Sequence, residues 1–246
     1  MKIAVFVPFS SDLRLYSELG EVYPVRGYPQ LARFLKDPSK FDMAAFTGGE
    51  DLNPKLYRHR NLGSHYNDAR DEFEIQAMKA SLAAGLVLAG ICRGAQLANV
   101  LLGGTMGQDL GGDHGGHHPI QTVIGESFRT NSAHHQLIVP TQAEYIYGWA
   151  EETVRPELVK YDGELPGYML DAEGRVKVTE MVYYPEQRAF MTQFHPEWMP
   201  RESRATELYL SGLELLLAGK TLPTAKTVEA GAQPRPGRGF SSPLDY

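Results

Sequence analysis

The segment Gly90-Ile91-Cys92-Arg93-Gly94 sets the only cysteine of the chain between two glycines, directly after the apolar run Leu86-Val87-Leu88-Ala89. A buried strand running through G-x-C-x-G into a helix is the cysteine form of the nucleophile elbow. Small residues are needed two before and two after the nucleophile because the backbones crowd there. The turn lifts the side chain into the crevice at the strand's carboxyl end, and the helix N-terminus favours the thiolate. A small packing cysteine between two ordinary glycines has the same local pattern, so the motif needs partners elsewhere in the chain.

A thiol nucleophile needs a base, and the base needs a group to orient it. Gln193-Phe194-His195-Pro196-Glu197 supplies both at the end of a late apolar run. His195 would take the thiol proton and return it to the leaving amine, and Glu197 would fix the imidazole tautomer. The chain must turn at Pro196, so spacing alone does not fix their mutual geometry. Thr47-Gly48-Gly49 closes another apolar run. Backbone N–H groups there can point at a developing oxyanion without a Cβ in the way. Gly49 N–H and Arg93 N–H are the expected oxyanion donors.

The elements that would position these residues follow from periodicity. Strands are expected at 2–7, 43–46, 86–89, 176–184 and 189–194, the last two as a hairpin around Pro185-Glu186. Helices are expected at 31–35, 70–84, 94–102 and 202–217. The 70–84 helix has Asp71, Glu72 and Glu74 in its first turn and Gly85 at its end, as the helix dipole and C-cap geometry favour. Residues 107–119 are Gly/His-rich and are expected to be irregular, and 10–27 offer little pattern. Strands alternating with helices imply one α/β domain around a mostly parallel sheet, over residues 1–220. A mobile Pro/Gly/Ser-rich tail is expected at 221–246.

Bulk properties narrow the function classes. The chain has 246 residues, 42% hydrophobic and 22% charged, and a formal net charge of −6. A sizeable core is possible, and a nucleic-acid partner is not expected without clustered Lys and Arg. One cysteine excludes an internal disulfide. The N-terminal apolar stretch fits a buried strand better than a signal sequence, and no run approaches a membrane span, so a cytoplasmic location is expected.

Taken together, residues 90–110 (GICRGAQLANVLLGGTMGQDL) closely resemble the nucleophile segment of class I glutamine amidotransferases. The gamma-glutamyl-gamma-aminobutyrate hydrolase branch is the nearest likeness. Three further segments fit it in order: Gly48-Gly49-Glu50-Asp51-Leu52-Asn53-Pro54, Arg70-Asp71 with Glu74, and Asn131-Ser132-Ala133-His134-His135-Gln136. The His195-Pro196-Glu197 segment completes the set. The resemblance covers roughly residues 43 to 200 and implies a flavodoxin-like fold with Cys92, His195 and Glu197 as a triad. It implies a gamma-glutamyl thioester on Cys92. Gln96 and the segment His134-His135-Gln136 would hold the glutamyl head group, and Arg93 would meet a substrate carboxylate. Ser132 belongs to the same polar cluster.

The chain also departs from that branch. The segment before the glycine loop is short, and residues 141–175 are long and carry Tyr145, Tyr147, Trp149 and Tyr161. Of the branch's glutamate pair, Glu180 is present while Tyr183 fills the second place. If the aromatics line the pocket mouth, the leaving amine is expected to be larger or flatter than gamma-aminobutyrate. His114, His117 and His118 raise a metal question, since His114-x-x-His117 is a zinc-ligand spacing. No cysteine completes such a site and thiol hydrolysis needs no metal, so neither metal nor cofactor is expected and the loop should line the mouth. The expected function is a gamma-glutamyl amide hydrolase acting on a small molecule. Two alternatives remain: a glutaminase subunit feeding a separate synthetase partner, and a non-catalytic binding module on the same fold. A homodimer is an open possibility, and no membrane partner is expected.

Overall fold

In the computed structural model β3 (Met43–Phe46) and β4 (Val87–Ile91) are buried at every position. Apolar on both faces, they must be covered on both, and they lie at the centre of a nine-stranded sheet. The structure describes residues 1–111 and 114–229. The other strands are β1 (Lys2–Phe6), β2 (Glu21–Val25), β5 (Thr105–Gly107), β6 (Gly116–Thr122), β7 (Ser127–Ser132), β8 (Leu137–Val139), β9 (Ile146–Val154), β10 (Val176–Tyr184) and β11 (Ala189–Thr192). The sheet order is β2-β1-β3-β4-β11-β10-β9-β6-β7, with β5 and β8 paired separately. From β2 to β11 every pairing is parallel, and from β11 to β7 every pairing is antiparallel. The expected parallel core is thus present, extended by an antiparallel half.

Strand alternation feeds two cores on opposite faces of the sheet. Ile3, Val5, Met43, Ala45, Val87 and Ala89 pack with helices α1 (Ser10–Ser17) and α5 (Arg204–Leu217). Ala4, Phe6, Ala44, Phe46 and Leu88 pack with α2 (Tyr28–Lys36), α3 (Asp68–Ala83) and α4 (Arg93–Leu101). Asn67 caps α3 by accepting from Arg70 N–H at 3.2 Å, and Gly85, at φ +67°, ends it in the left-handed region.

Four expectations need correction. Residues 10–27 are not featureless, because they form α1 and β2, and the buried residues Leu15 and Tyr16 give α1 an apolar face. Residues 107–119 are partly regular: Gly116 onward is β6, paired with β7 and β9, while 112–113 lie outside the described residues. The tail begins packed, with Leu222 buried, its N–H on Tyr183 Oη at 3.2 Å, and α6 (Ala225–Glu229) following. Residues 230–246 lie outside the described residues. Finally, the aromatics of 141–175 do not wall a pocket mouth. Tyr147 is a core residue edge-on to Phe190, Tyr145 packs on Tyr184, and Tyr161 packs on His59. Trp149 lines a cleft beside α6 whose lining contains neither Cys92 nor His195. The expectation of a larger, flatter leaving amine therefore loses its basis.

Candidate active site

Cys92 is the N-cap of α4 and has φ +50° and ψ −108°, a conformation that non-glycine residues avoid and that clusters at functional sites. Crowding explains the flanking glycines. A Cβ on Gly90 would meet Met191 Sδ at 2.5 Å and the Gly94 backbone at 2.8 Å, and one on Gly94 would meet Phe46 O at 2.2 Å. The strand–helix turn closes only because both positions lack side chains.

The parallel β4–β11 ladder sets what faces the elbow. Ile91 is in register with Thr192, and Cys92 N–H donates to Thr192 O at 2.7 Å, so the chain leaving β11 delivers His195 beside the thiol. A Cβ on Gly48 would lie 2.8 Å from His195 Cε1 and 3.7 Å from Cys92 Cβ, so this glycine leaves room for the pair. His195 Nδ1 is 2.7 Å from Glu197 Oε1, and both side chains are almost fully buried. Burial alone would lower the His195 pKa. The hydrogen bonds to the Cys92 side chain and to Glu197 outweigh it and raise it to about 10. The structure therefore brings Cys92, His195 and Glu197 together, the short turn at Pro196–Trp198 supplying the geometry that spacing left open.

The expected oxyanion donors are joined by a buried ionic network. Arg93, the first residue of α4, has its N–H among those that no intrahelical acceptor satisfies. Its side chain is fully buried, with Nη2 2.7 Å from Asp71 Oδ1 and 3.2 Å from Glu74 Oε2. Asp71 in turn accepts from Asn53 N–H at 3.0 Å. Arg70 bonds Glu74 at 3.0 Å, Glu50 at 2.7 Å and Gly48 O at 2.8 Å, lying so close over Gly49 that a Cβ there would meet Nη1 at 2.0 Å. The elbow and the glycine loop thus share one scaffold. Arg93 is not available to a substrate carboxylate, because its guanidinium neutralises two buried acids.

Of the expected head-group residues, Gln96 sits one turn after Cys92, nearly buried, with no hydrogen-bond partner for its amide among the described residues. The others are committed elsewhere. Gln136 Nε2 donates to Ser64 Oγ at 3.1 Å, and Ser132 Oγ donates to His114 O at 2.7 Å. His135 is half exposed and bonds Asp51 Oδ1 at 3.0 Å, and that bond raises its pKa. His134 points away into a buried cluster: His114, His118 and His134 place their Nε2 atoms 2.7, 3.0 and 3.2 Å from Glu180 Oε1. Burial would raise the Glu180 pKa, yet these imidazoles hold it well below the ordinary carboxylate range. His117 is exposed one position earlier on β6, so the His114-x-x-His117 pairing is corrected to His114 with His118 and His134. Alternation along a strand sends neighbours to opposite faces.

Three contributors escaped sequence reading. Asn131 clamps the His195 backbone, accepting from its N–H at 2.8 Å and donating to its carbonyl at 2.9 Å. Trp198, exposed, stacks flat on the His195 ring with centroids 3.8 Å apart. Asp12 on α1 lies close enough to Glu197 that burial, then that neighbouring charge, push its carboxyl up to about 6. Only the stacking had a local cue, an aromatic three residues after the histidine.

The family model described as peptidase C26 matches residues 35–197. The YvdE homolog of Lactococcus lactis subsp. cremoris, a glutamine amidotransferase-like protein, is 40% identical over 106 residues, covering 41% of this chain and 54% of that protein. The chain thus spans about half the length of that relative. YvdE of Lactococcus lactis subsp. lactis is 28% identical over 198 residues, covering 76% and 79%. Among solved structures, the glutaminase domain of Trypanosoma brucei CTPS with bound acivicin superposes with a TM-score of 0.56 at 13% identity, covering 91% of this chain and 96% of that one. A glutamine amidotransferase from Thermotoga maritima gives 0.51 at 14%, covering 94% and 92%. At such identities these two likenesses concern the fold alone.

Proposed function

The chain belongs to the peptidase C26 family, and on that premise we propose that it hydrolyses a gamma-glutamyl amide bond with Cys92 as nucleophile, His195 as base and acid, and Glu197 as orienter. The observation that carries this reading is the strained Cys92 elbow facing an imidazole whose far nitrogen is held by a buried carboxylate at 2.7 Å. Cys92 Sγ attacks the gamma-carbonyl carbon, and Gly49 N–H and Arg93 N–H receive the oxyanion. His195, holding the thiol proton, passes it to the departing nitrogen as the C–N bond breaks. A water then gives a proton to His195 and adds to the thioester. Glutamate leaves and the thiol is restored. Glu197 keeps Nδ1–H fixed so that Nε2 faces the thiol through both halves. Gln96, with its amide unengaged one turn past the elbow, is the residue best placed to meet the glutamyl head group.

The test is a turnover screen over gamma-glutamyl amides and glutamine, with Cys92→Ala as the blank. Release of glutamate from a gamma-glutamyl amine faster than from glutamine supports the reading. Turnover of glutamine alone would point to an ammonia-supplying glutaminase. Turnover that survives Cys92→Ala would end the proposal.

A further inference from the structure

Glu180 is fully buried where the antiparallel half of the sheet meets the loop before β6. Three imidazole nitrogens crowd its Oε1 at 2.7, 3.0 and 3.2 Å, while Oε2 of the same carboxylate is buried with no partner. Hydrogen bonding alone gives no reason for that division, because a carboxylate has about four acceptor positions shared between its two oxygens. Donor atoms gathered on one side of a carboxylate are what a cation organises.

The His134 ring carries a second sign. Its Nδ1 lies 2.9 Å from the Gln136 carbonyl oxygen, which can only accept. The Gln193 amide nitrogen, 3.0 Å from Nδ1, donates to that same oxygen at 2.9 Å, so a protonated Nδ1 is the second donor converging on it. With its proton on Nδ1, a neutral ring turns the Nε2 lone pair toward Glu180. In that form Nε2 and Glu180 Oε1, 3.2 Å apart, both present lone pairs that an ion between them would engage, whereas without an ion an Nε2–H donates to Oε1. A backbone carbonyl fixing one imidazole nitrogen while the other points inward is the usual support of a metal-ligating histidine.

We propose that His114 Nε2, His134 Nε2 and Glu180 Oε1 form a binding site for a divalent transition-metal ion of the zinc class. The ligand atoms of these three residues lie within 4.8 Å of one another. Tetrahedral zinc with bonds of about 2.0–2.1 Å sets its ligand atoms about 3.3 Å apart, so His114 Nε2, now 2.7 Å from Glu180 Oε1, must move out by about 0.6 Å, while the His134 distance of 3.2 Å already fits. Two imidazoles and one carboxylate match zinc in softness, and they leave a fourth position for water. His118, 3.0 Å from Glu180 Oε1, remains outside the ligand set and steadies the carboxylate. A cleft of about 210 Å³ lined by Leu110, His114, Gly115, Ala133, His134 and His135 gives the ion a way in. Cys92 is neither among these ligand residues nor in the lining of that cleft, and the Glu180 backbone carbonyl accepts from Gln193 N–H at 2.7 Å, two residues before His195.

The experiment is zinc titration of chelator-stripped full-length protein against a competing chromophoric chelator, with cobalt(II) absorption reporting coordination. Because a free thiol beside a histidine also takes zinc, Cys92→Ala is titrated in parallel. One equivalent should bind wild type and Cys92→Ala alike. His114→Ala, at the loop before β6, should weaken it by at least ~10–100-fold, as should His134→Ala. Cobalt bound there should give the intense visible bands of four-coordination and raise the melting temperature. The proposal is overturned if zinc binding disappears in Cys92→Ala but survives in His114→Ala and His134→Ala. It is also overturned if the stripped protein takes up no zinc at micromolar concentration.

Discussion

The nucleophile side and the base side of the candidate site are held by different kinds of force. Cys92 stands on a strained turn over an Arg93–Asp71–Glu74–Arg70 network whose two guanidinium groups carry fixed charge. His195 stands beside carboxyl groups instead: Glu197 on its ring, and Asp12 behind, raised to about 6. The difference teaches that the nucleophile is located chiefly by the fixed cations of that network, while the base sits beside adjustable carboxyls. Changes on the first side should therefore alter position and stability, and changes on the second should alter pH dependence.

The largest effect should come from the one residue where both sides meet. Cys92→Ala should lower turnover by ~10³-fold or more while moving the melting temperature little, because it removes the attacking atom and no buried contact of consequence. Steady-state kinetics and a thermal melt on the same preparation check both halves.

Arg93→Met should strike stability instead. It keeps much of the volume but leaves Asp71 buried without its cation and Glu74 with Arg70 alone, and breaking a buried ion pair costs about 3–5 kcal/mol. Urea unfolding measures it. A loss under ~1 kcal/mol would mean that Arg70 and Asn53 carry the acids by themselves, and the fixed-charge account of the elbow would fail.

On the base side, Glu197→Gln should cut kcat by ~10²-fold or more and also move the alkaline limb of the rate profile. The sign follows from the raised His195 value. The imidazolium persists up to about pH 10 because Cys92 and Glu197 together overcome its burial. Without the carboxylate charge the limb should shift to lower pH. An unmoved limb would show that Glu197 orients the ring without tuning it.

The smallest effect concerns Asp12. A carboxyl whose folded pKa is raised to about 6 contributes stability that is complete below its unfolded value, about 3.9, and is lost as pH rises through about 6. Asp12→Asn keeps an acceptor for Phe9 N–H, now bonded to Asp12 Oδ2 at 2.8 Å. It should flatten the fall in stability between about pH 4 and 6, as denaturant unfolding across that window would reveal. An unchanged slope would remove Asp12 from the adjustable side of the site.

Sequence alone determined the features whose cause is local. The elbow was legible because a strand cannot turn into a helix around Cys92 unless positions 90 and 94 lack side chains, and that demand is written in adjacent residues. The central strands were legible because burial on both faces leaves an unbroken apolar run at Val87–Ile91 and Met43–Phe46. Glycines 48 and 49 marked a loop that must admit His195 on one side and Arg70 on the other. Tertiary structure decided everything that depends on distant partners. Arg93 reads as a ligand for a carboxylate until α3 brings Asp71 and Glu74 against it. His134 reads as a head-group contact until β10 turns Glu180 toward it, and His117 and His118 exchange importance because strand alternation sends only one of them inward. Asn131, although it opens a segment that fits the family, and Asp12 gave no local sign of their roles, since each acts across 64 and 185 residues of chain respectively, on His195 and Glu197. Spacing along the chain fixes geometry only within one element. Between elements it is the sheet order, with β11 placed between β4 and β10, that chooses which polar groups are buried face to face.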